Sequence, residues 1–148
     1  MTDKRQILFL CTGNSCRSQM AEGWARHLKA DVLAAHSAGV ETHGLNPRAV
    51  QVMAEAGVDI SGHRSQHIDE FADVPLDVVV TVCGHAAESC PVFPGATCVV
   101  HHGFDDPPGL TRGLDDEDAI LAVYRRVRDE VRDYVATLPD SLDREQAR

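Results

Sequence analysis

Cys11 opens the run Cys11-Thr12-Gly13-Asn14-Ser15-Cys16-Arg17-Ser18, directly after the apolar stretch Ile7-Leu8-Phe9-Leu10. A thiol, five residues, then an arginine and a hydroxyl is the layout of an oxyanion cradle built around a nucleophile. Small residues centred on Gly13 let the backbone curl until successive N–H groups aim at one anion. A helix beginning near Ser18 adds its positive end. Arg17 offers a planar fork that suits tetrahedral oxyanions better than lysine does. Such donors also stabilise a thiolate, and cysteines in these settings have pKa values of about 3.5–7.5 in place of about 8.5. Ser18 is expected to donate to the sulfur, Asn14 to hold the loop in shape, and Cys16 to pack inward. The expected substrate-binding set is therefore Thr12, Gly13, Asn14, Ser15, Cys16, Arg17 and Ser18. The competing reading makes Cys11 a buried structural thiol. The arginine, the glycine and the strand–loop–helix setting argue against it.

A second signal is Cys83 and Cys90, with six residues between them. The five cysteines stand at 11, 16, 83, 90 and 98. In a reducing compartment they do not make a structural disulfide framework, whereas transient catalytic disulfides are allowed. On paper Cys83, Cys90, Cys98, His101 and His102 also offer zinc ligands. Zinc cysteines are usually separated by about two to four residues, however, and this pair is spaced more widely.

The elements that must position these thiols can be read from the pattern. Ile7–Leu10 is a buried strand ending in the loop Thr12-Gly13-Asn14. Ser18 caps a helix over 19–29, whose apolar face is Met20, Trp24 and Leu28. A strand over 32–37 stops at Gly39. Asn46-Pro47 starts a second helix with Ala49, Val50, Met53 and Ala54 inward, ended by Gly57. Val78–Val82 is β-branched and apolar on both faces, as in a covered parallel sheet. Residues 98–100 form a shorter strand, and 103–113 a loop. The last helix spans about 115–138, with Ile120, Tyr124, Val127, Val131, Tyr134 and Leu138 as its stripe. Residues 139–148 read as a frayed tail. Alternating strands and helices give one α/β domain over 1–148, with a parallel sheet wrapped on both sides. Ligands in such folds sit at the C-terminal ends of strands near a switch in strand order. Cys11 and Cys83 each follow a strand, so two thiols 72 positions apart meet at one rim.

The 148 residues suit one domain that needs no disulfide or metal staple. No apolar run approaches the ~20 residues of a membrane span, and the N-terminal residues leave no room for a signal peptide. A cytoplasmic monomer is the expectation. The formal net charge of −9 argues against nucleic acid or anionic lipid as partners. It also means that an anionic substrate must be drawn in by a local positive field.

The C-x5-R-S loop between the first strand and first helix resembles that of the low-molecular-weight protein tyrosine phosphatases. The longer run from Cys11 to Trp24 is similar to the thioredoxin-coupled arsenate reductases of that superfamily. So are Ser37-Ala38-Gly39, Glu41-Thr42-His43-Gly44, Asn46-Pro47, Thr81-Val82-Cys83 with Cys90-Pro91, and Gly103-Phe104-Asp105-Asp106-Pro107. The similarity runs from about residue 6 to 135. It implies a phosphatase-like fold with a four-stranded parallel sheet and helices on both faces. It also implies arsenic detoxification by a thiol relay that needs no cofactor. In that relay Cys11 attacks arsenate held by Arg17 and the loop amides, and Asp106 protonates the leaving oxygen, with Asp105 a solvated neighbour. Cys83 attacks Cys11, arsenite leaves, and Cys90 then attacks Cys83. Thioredoxin reduces the resulting Cys83–Cys90 pair. A straight helix over 83–90 would hold its ends ~10.5 Å apart. Disulfides tolerate Cα separations only up to about 7 Å, so this segment is expected to loop or unwind on oxidation. Some relatives bind potassium beside the loop. Asn14, Glu22 and Ser37 match three of those positions, but Gln66 stands where they carry aspartate, which weakens a hard-cation site. Two other readings stay open: a phosphatase acting on phosphate monoesters, and a thiol redox sensor without turnover.

Overall fold

The computed structural model describes residues 4–82 and 99–142. Strands β1 (Arg5–Cys11), β2 (Leu33–Gly39), β3 (Val78–Thr81) and β4 (Val99–His101) form one sheet in the order β2-β1-β3-β4. All three pairings are parallel. The helices are α1 (Arg17–Leu28), α2 (Pro47–Glu55), the single-turn α3 (Pro107–Leu110) and α4 (Glu117–Ala136).

The pleat of β1 explains how both faces are buried. Ile7, Phe9 and Cys11 point into one apolar cluster, shared with Met20, Trp24, Val52, Met53, Tyr124 and Val131 of α1, α2 and α4. Leu8 and Leu10 point the other way, against Ala38, Phe71, Leu76 and Val79. That second face is covered by the 3₁₀ turn Ile68–Phe71 and the chain after it. Every residue of the expected α4 stripe is buried. Full burial of such side chains stabilises by about 1.5–3 kcal/mol each before entropy is counted.

Several boundaries differ from the sequence reading, each for a local reason. Ser18 does not cap α1. The helix begins two residues earlier than expected, Cys16 is the N-cap without a side-chain bond, and the Ser18 hydroxyl instead accepts from Asn14 Nδ2 at 2.9 Å. Leu28 is partly exposed, and Ala21 and Ala25 complete the buried face of α1. In α2, Val52 is inward and Ala54 is exposed. The α2 caps hold as read. Asn46 Oδ1 accepts from the N–H groups of Arg48 and Ala49. At the other end, Val58 donates to the Met53 carbonyl and Gly57, at φ +87°, to that of Ala54, which is a Schellman end. The segment 103–113 is not loop throughout, because Pro107–Leu110 makes a turn of helix. The tail is not frayed from 139 onward. Ser141 and Leu142 are buried, and Leu142 joins the main core.

Strand order switches between β1 and β3, where connections leave in opposite directions and open a crevice. Cys11 ends β1 at that crevice. Beside it, Val82 donates its N–H to the Leu10 carbonyl at 2.9 Å.

Candidate active site

The loop after β1 is shaped by what its carbonyls bind. Thr12 O accepts from Glu41 N at 3.0 Å, and Gly13 O from His43 N and from Ser65 Oγ, each at 3.0 Å. Ser15 O accepts from Asn46 N at 3.1 Å. Asn14 O accepts from Gln19 Nε2 at 3.2 Å. Four consecutive carbonyls are thus held outward by a collar made of segment 41–46, Ser65 and Gln19. In a trans peptide the N–H points opposite to the preceding C=O. The N–H groups of Gly13, Asn14, Ser15 and Cys16 therefore face the other way, into the loop. This direction is what makes the run an anion nest and not an ordinary turn.

Asn14 is the residue on which that shape depends. It is the one non-glycine with positive φ (+48°) among the described residues, a conformation asparagine tolerates better than most. It is fully buried, and its Oδ1 accepts from Gln66 N at 2.6 Å and Gln19 Nε2 at 3.1 Å. It holds the loop, as the sequence reading expected of it. Gly39 is needed for close approach. A Cβ there would lie 2.6 Å from Thr12 O and 2.8 Å from Asn14 N, both of them backbone atoms.

The nest opens into a cleft of about 880 Å³. Cys11, Thr12, Gly13, Ser15, Cys16 and Arg17 line it, together with Asp106, Arg112, Glu41 and His43. Arg17 is 4% exposed and donates Nη1–H to Phe104 O at 3.1 Å. Its Nη2 lies 3.6 Å from Asp106 Oδ1. The guanidinium is thus held between Phe104 O and Asp106 at the cleft, and α1 begins at Arg17, directly after the loop. The two aspartates separate cleanly. Asp105 is solvent-exposed, as expected, and pairs at the surface with Arg126 of α4 at 3.1 Å. Asp106 faces Arg17 and the cleft.

Cys16 packs inward, 5% exposed in the main core. Burial pushes its thiol up to about 12, an effect that Arg17 opposes and Asp106 assists. It contributes a backbone N–H to the nest, not a nucleophile. A thiol below its pKa is protonated, so Cys16 stays neutral across the physiological range and ionises only in strong alkali. Iodoacetamide at pH 8 should therefore label Cys11 and leave Cys16 unmodified until the protein is unfolded. Peptide mass spectrometry that finds Cys16 labelled as fast as Cys11 would contradict this.

Asn14, Glu22 and Ser37, the residues of the potassium expectation, are engaged with protein groups. Ser37 Oγ donates to Glu22 Oε1 at 2.6 Å, and Arg26 Nε donates to Glu22 Oε2 at 2.8 Å. Arg26 is the cation beside that carboxylate. Among the described residues no cluster of histidine, cysteine, aspartate and glutamate has the makings of a metal site. His101 Nδ1 is 2.8 Å from Thr81 Oγ1, and the His102 ring stacks on Tyr134 with centroids 3.8 Å apart. Two further histidines are partly buried and hydrogen-bonded. His63 binds Gln19 Oε1 at 3.1 Å and His36 binds Gln6 Oε1 at 2.9 Å. Cys83, Cys90 and Cys98 lie outside the described residues, as does the expected opening of 83–90.

The sequence reading missed the collar. Glu41, His43 and Asn46 bind loop carbonyls through main-chain N–H groups, which carry no residue-type signal. Gln19 and Ser65 act through side chains whose partners are set only by the fold. Trp24 and Tyr124 are core residues, with Trp24 Nε1 donating to Arg128 O at 3.1 Å. No Phe, Tyr or Trp among the described residues lines the cleft.

Comparison with known proteins agrees with this geometry. Residues 6–148 match the model of the family described as low molecular weight phosphotyrosine protein phosphatase. The arsenate reductase of Halalkalibacterium halodurans is 50% identical over 139 residues, covering 94% of this chain and 98% of that protein. The arsenate reductase of Bacillus subtilis is 50% identical over 129 residues, 87% of this chain and 91% of its own. A solved arsenate reductase in its phosphate-binding state superposes with a TM-score of 0.74 at 37% identity, covering 90% of this chain and 95% of that one. The chain belongs to the low molecular weight phosphotyrosine protein phosphatase family, in the branch whose members are arsenate reductases.

Proposed function

We propose that the protein reduces arsenate to arsenite by a relay of Cys11, Cys83 and Cys90, with thioredoxin as the electron donor and detoxification as the outcome. The observation that carries the reading is the direction of the loop peptides around Cys11. Four inward N–H groups, Arg17 and the α1 terminus stabilise both a thiolate and a bound oxyanion. Relatives named arsenate reductase, one of them solved in a phosphate-binding state, support the choice of oxyanion.

The Cys11 thiolate attacks arsenic, and Asp106 delivers a proton to the departing oxygen, which leaves as water. Cys83 then attacks the Cys11 sulfur. The electron pair of the sulfur–arsenic bond passes to arsenic, which falls from the +5 to the +3 state and leaves as arsenite. Two sulfurs are oxidised to a disulfide. Cys90 exchanges with Cys83, Cys11 is freed, and thioredoxin returns two electrons to the Cys83–Cys90 pair. The hydrogen bond from Val82 to Leu10 supports the first exchange, since Val82 directly precedes Cys83 and Leu10 directly precedes Cys11. A reducing cytoplasm suits such a relay. Among the described residues no helix is long and apolar enough to cross a membrane.

The test is arsenate-dependent NADPH consumption with thioredoxin and its reductase. Sustained consumption is expected from the native chain and none from Cys11→Ser. Turnover of a phosphate monoester with no arsenate-dependent oxidation would favour the phosphatase reading. A cleft with no aromatic wall among the described residues gives a tyrosyl ring little to pack against.

A further inference from the structure

We infer that Pro108 and Gly109 are positioning residues that keep the Asp106 carboxylate turned toward Arg17, Pro108 by withholding a backbone N–H and Gly109 by leaving space. This rests on Asp106 being the proton donor of the reaction above.

Asp106 occupies the N-cap of α3. An aspartate there normally folds its carboxylate back onto the N–H of the second or third helical residue. Those residues are Pro108 and Gly109, and Pro107 is the first. Proline has no N–H, so two of the three first-turn donors are missing. The Asp106 side chain makes no capping bond at all. Its carboxylate stands over Gly109, where a Cβ would lie 2.8 Å from Oδ2 and 3.4 Å from Cγ. Its other oxygen, Oδ1, faces Arg17 Nη2 at 3.6 Å. The turn itself is held without the carboxylate. Leu110 N donates to Asp106 O at 2.9 Å, and Thr111 Oγ1 to Pro107 O at 2.8 Å.

Sequence therefore places the acid at a position that would ordinarily consume it as a cap and deletes one of the two donors that would do so, and the side chain makes no bond to the other, the Gly109 N–H. A second proline is also costly for an ordinary helix, but this turn is only four residues long. Pro108 and Gly109 are both only half-buried, so neither is explained by core packing. Pro108→Ala returns an N–H within reach of the carboxylate and offers it a cap. Gly109→Ala inserts a methyl where Oδ2 now sits, and the carboxylate must swing away because the methyl is fixed to the backbone.

The experiment is single-turnover arsenite release from pre-reduced protein, without thioredoxin, across arsenate concentrations. Native, Pro108→Ala, Gly109→Ala and Asp106→Asn proteins are compared, with both double variants carrying Asp106→Asn. Proton donors typically contribute about 10²–10⁴-fold, so Asp106→Asn should slow the maximal rate by about that much. Pro108→Ala and Gly109→Ala should each slow it about tenfold, a misplacement effect, with half-saturating arsenate unchanged. In the Asp106→Asn background neither should have further effect, because the carboxylate they position is gone. Single variants at the native rate would overturn the inference, as would a slowing that persists in full beside Asp106→Asn. An Asp106→Asn protein at the native rate would instead overturn the proton-donor role on which it rests.

Discussion

Cys90→Ser should release one arsenite per chain and then stop. The first two steps of the relay need only Cys11 and Cys83, so arsenate is still reduced once. The variant is then left with Cys11 locked to Cys83. Without Cys90 no exchange frees the nucleophile. The predicted result is a burst of about one equivalent, followed by a steady rate at least about a hundredfold below native, since Cys11 is the group that the nest activates. Quantifying arsenite against protein after rapid mixing checks this. A phosphatase of the same fold would be indifferent to the change, because its chemistry ends on Cys11. Multiple turnovers at the native rate would remove Cys90 from the mechanism.

Arg17→Lys should cost about 10²–10³-fold in kcat/KM for arsenate while leaving the fold intact. The guanidinium is nearly buried, spends one N–H on Phe104 O, and keeps Nη2 near Asp106 and the cleft. A lysine ammonium has three donors on one atom and cannot serve the carbonyl and the oxyanion in the same planar fork. Losing one oxyanion donor typically costs about 10²–10³. Charge is conserved, so simple electrostatic steering survives and the loss reports geometry. Initial rates over a range of arsenate, with a thermal melt as control, are the measurement. A change below about threefold would mean that the loop amides alone hold the anion.

Much of the frame was legible because periodicity and capping are local. The α4 stripe, the Asn46-Pro47 start of α2 and the apolar β1 run each announce themselves in a few consecutive residues, and each is found. Cys11, Gly13 and Arg17 could be picked out as the candidate nucleophile and nest residues for the same reason, since the loop is contiguous. Errors arose where a side chain had a choice of partners. Ser18 had the residue type of an N-cap, yet Asn14 takes its hydroxyl. Leu142 looked like tail, but α4 delivers it back to the core. The collar was illegible for a deeper reason. Besides the side chains of Ser65 and Gln19, its donors are the main-chain N–H groups of Glu41, His43 and Asn46, and nothing in a residue's identity says where its amide points. Likewise Asp106 could be proposed as an acid only through the family resemblance of the run Asp105-Asp106-Pro107. Its freedom from a capping bond is visible only once the turn is built.

Acid-quenched disulfide mapping of the Cys90→Ser protein after one exposure to arsenate tests the relay most directly. The account predicts a peptide cross-linked between Cys11 and Cys83, present only when arsenate was added. Finding both thiols reduced while arsenite has been formed, or finding Cys11 paired with any other cysteine, would contradict it.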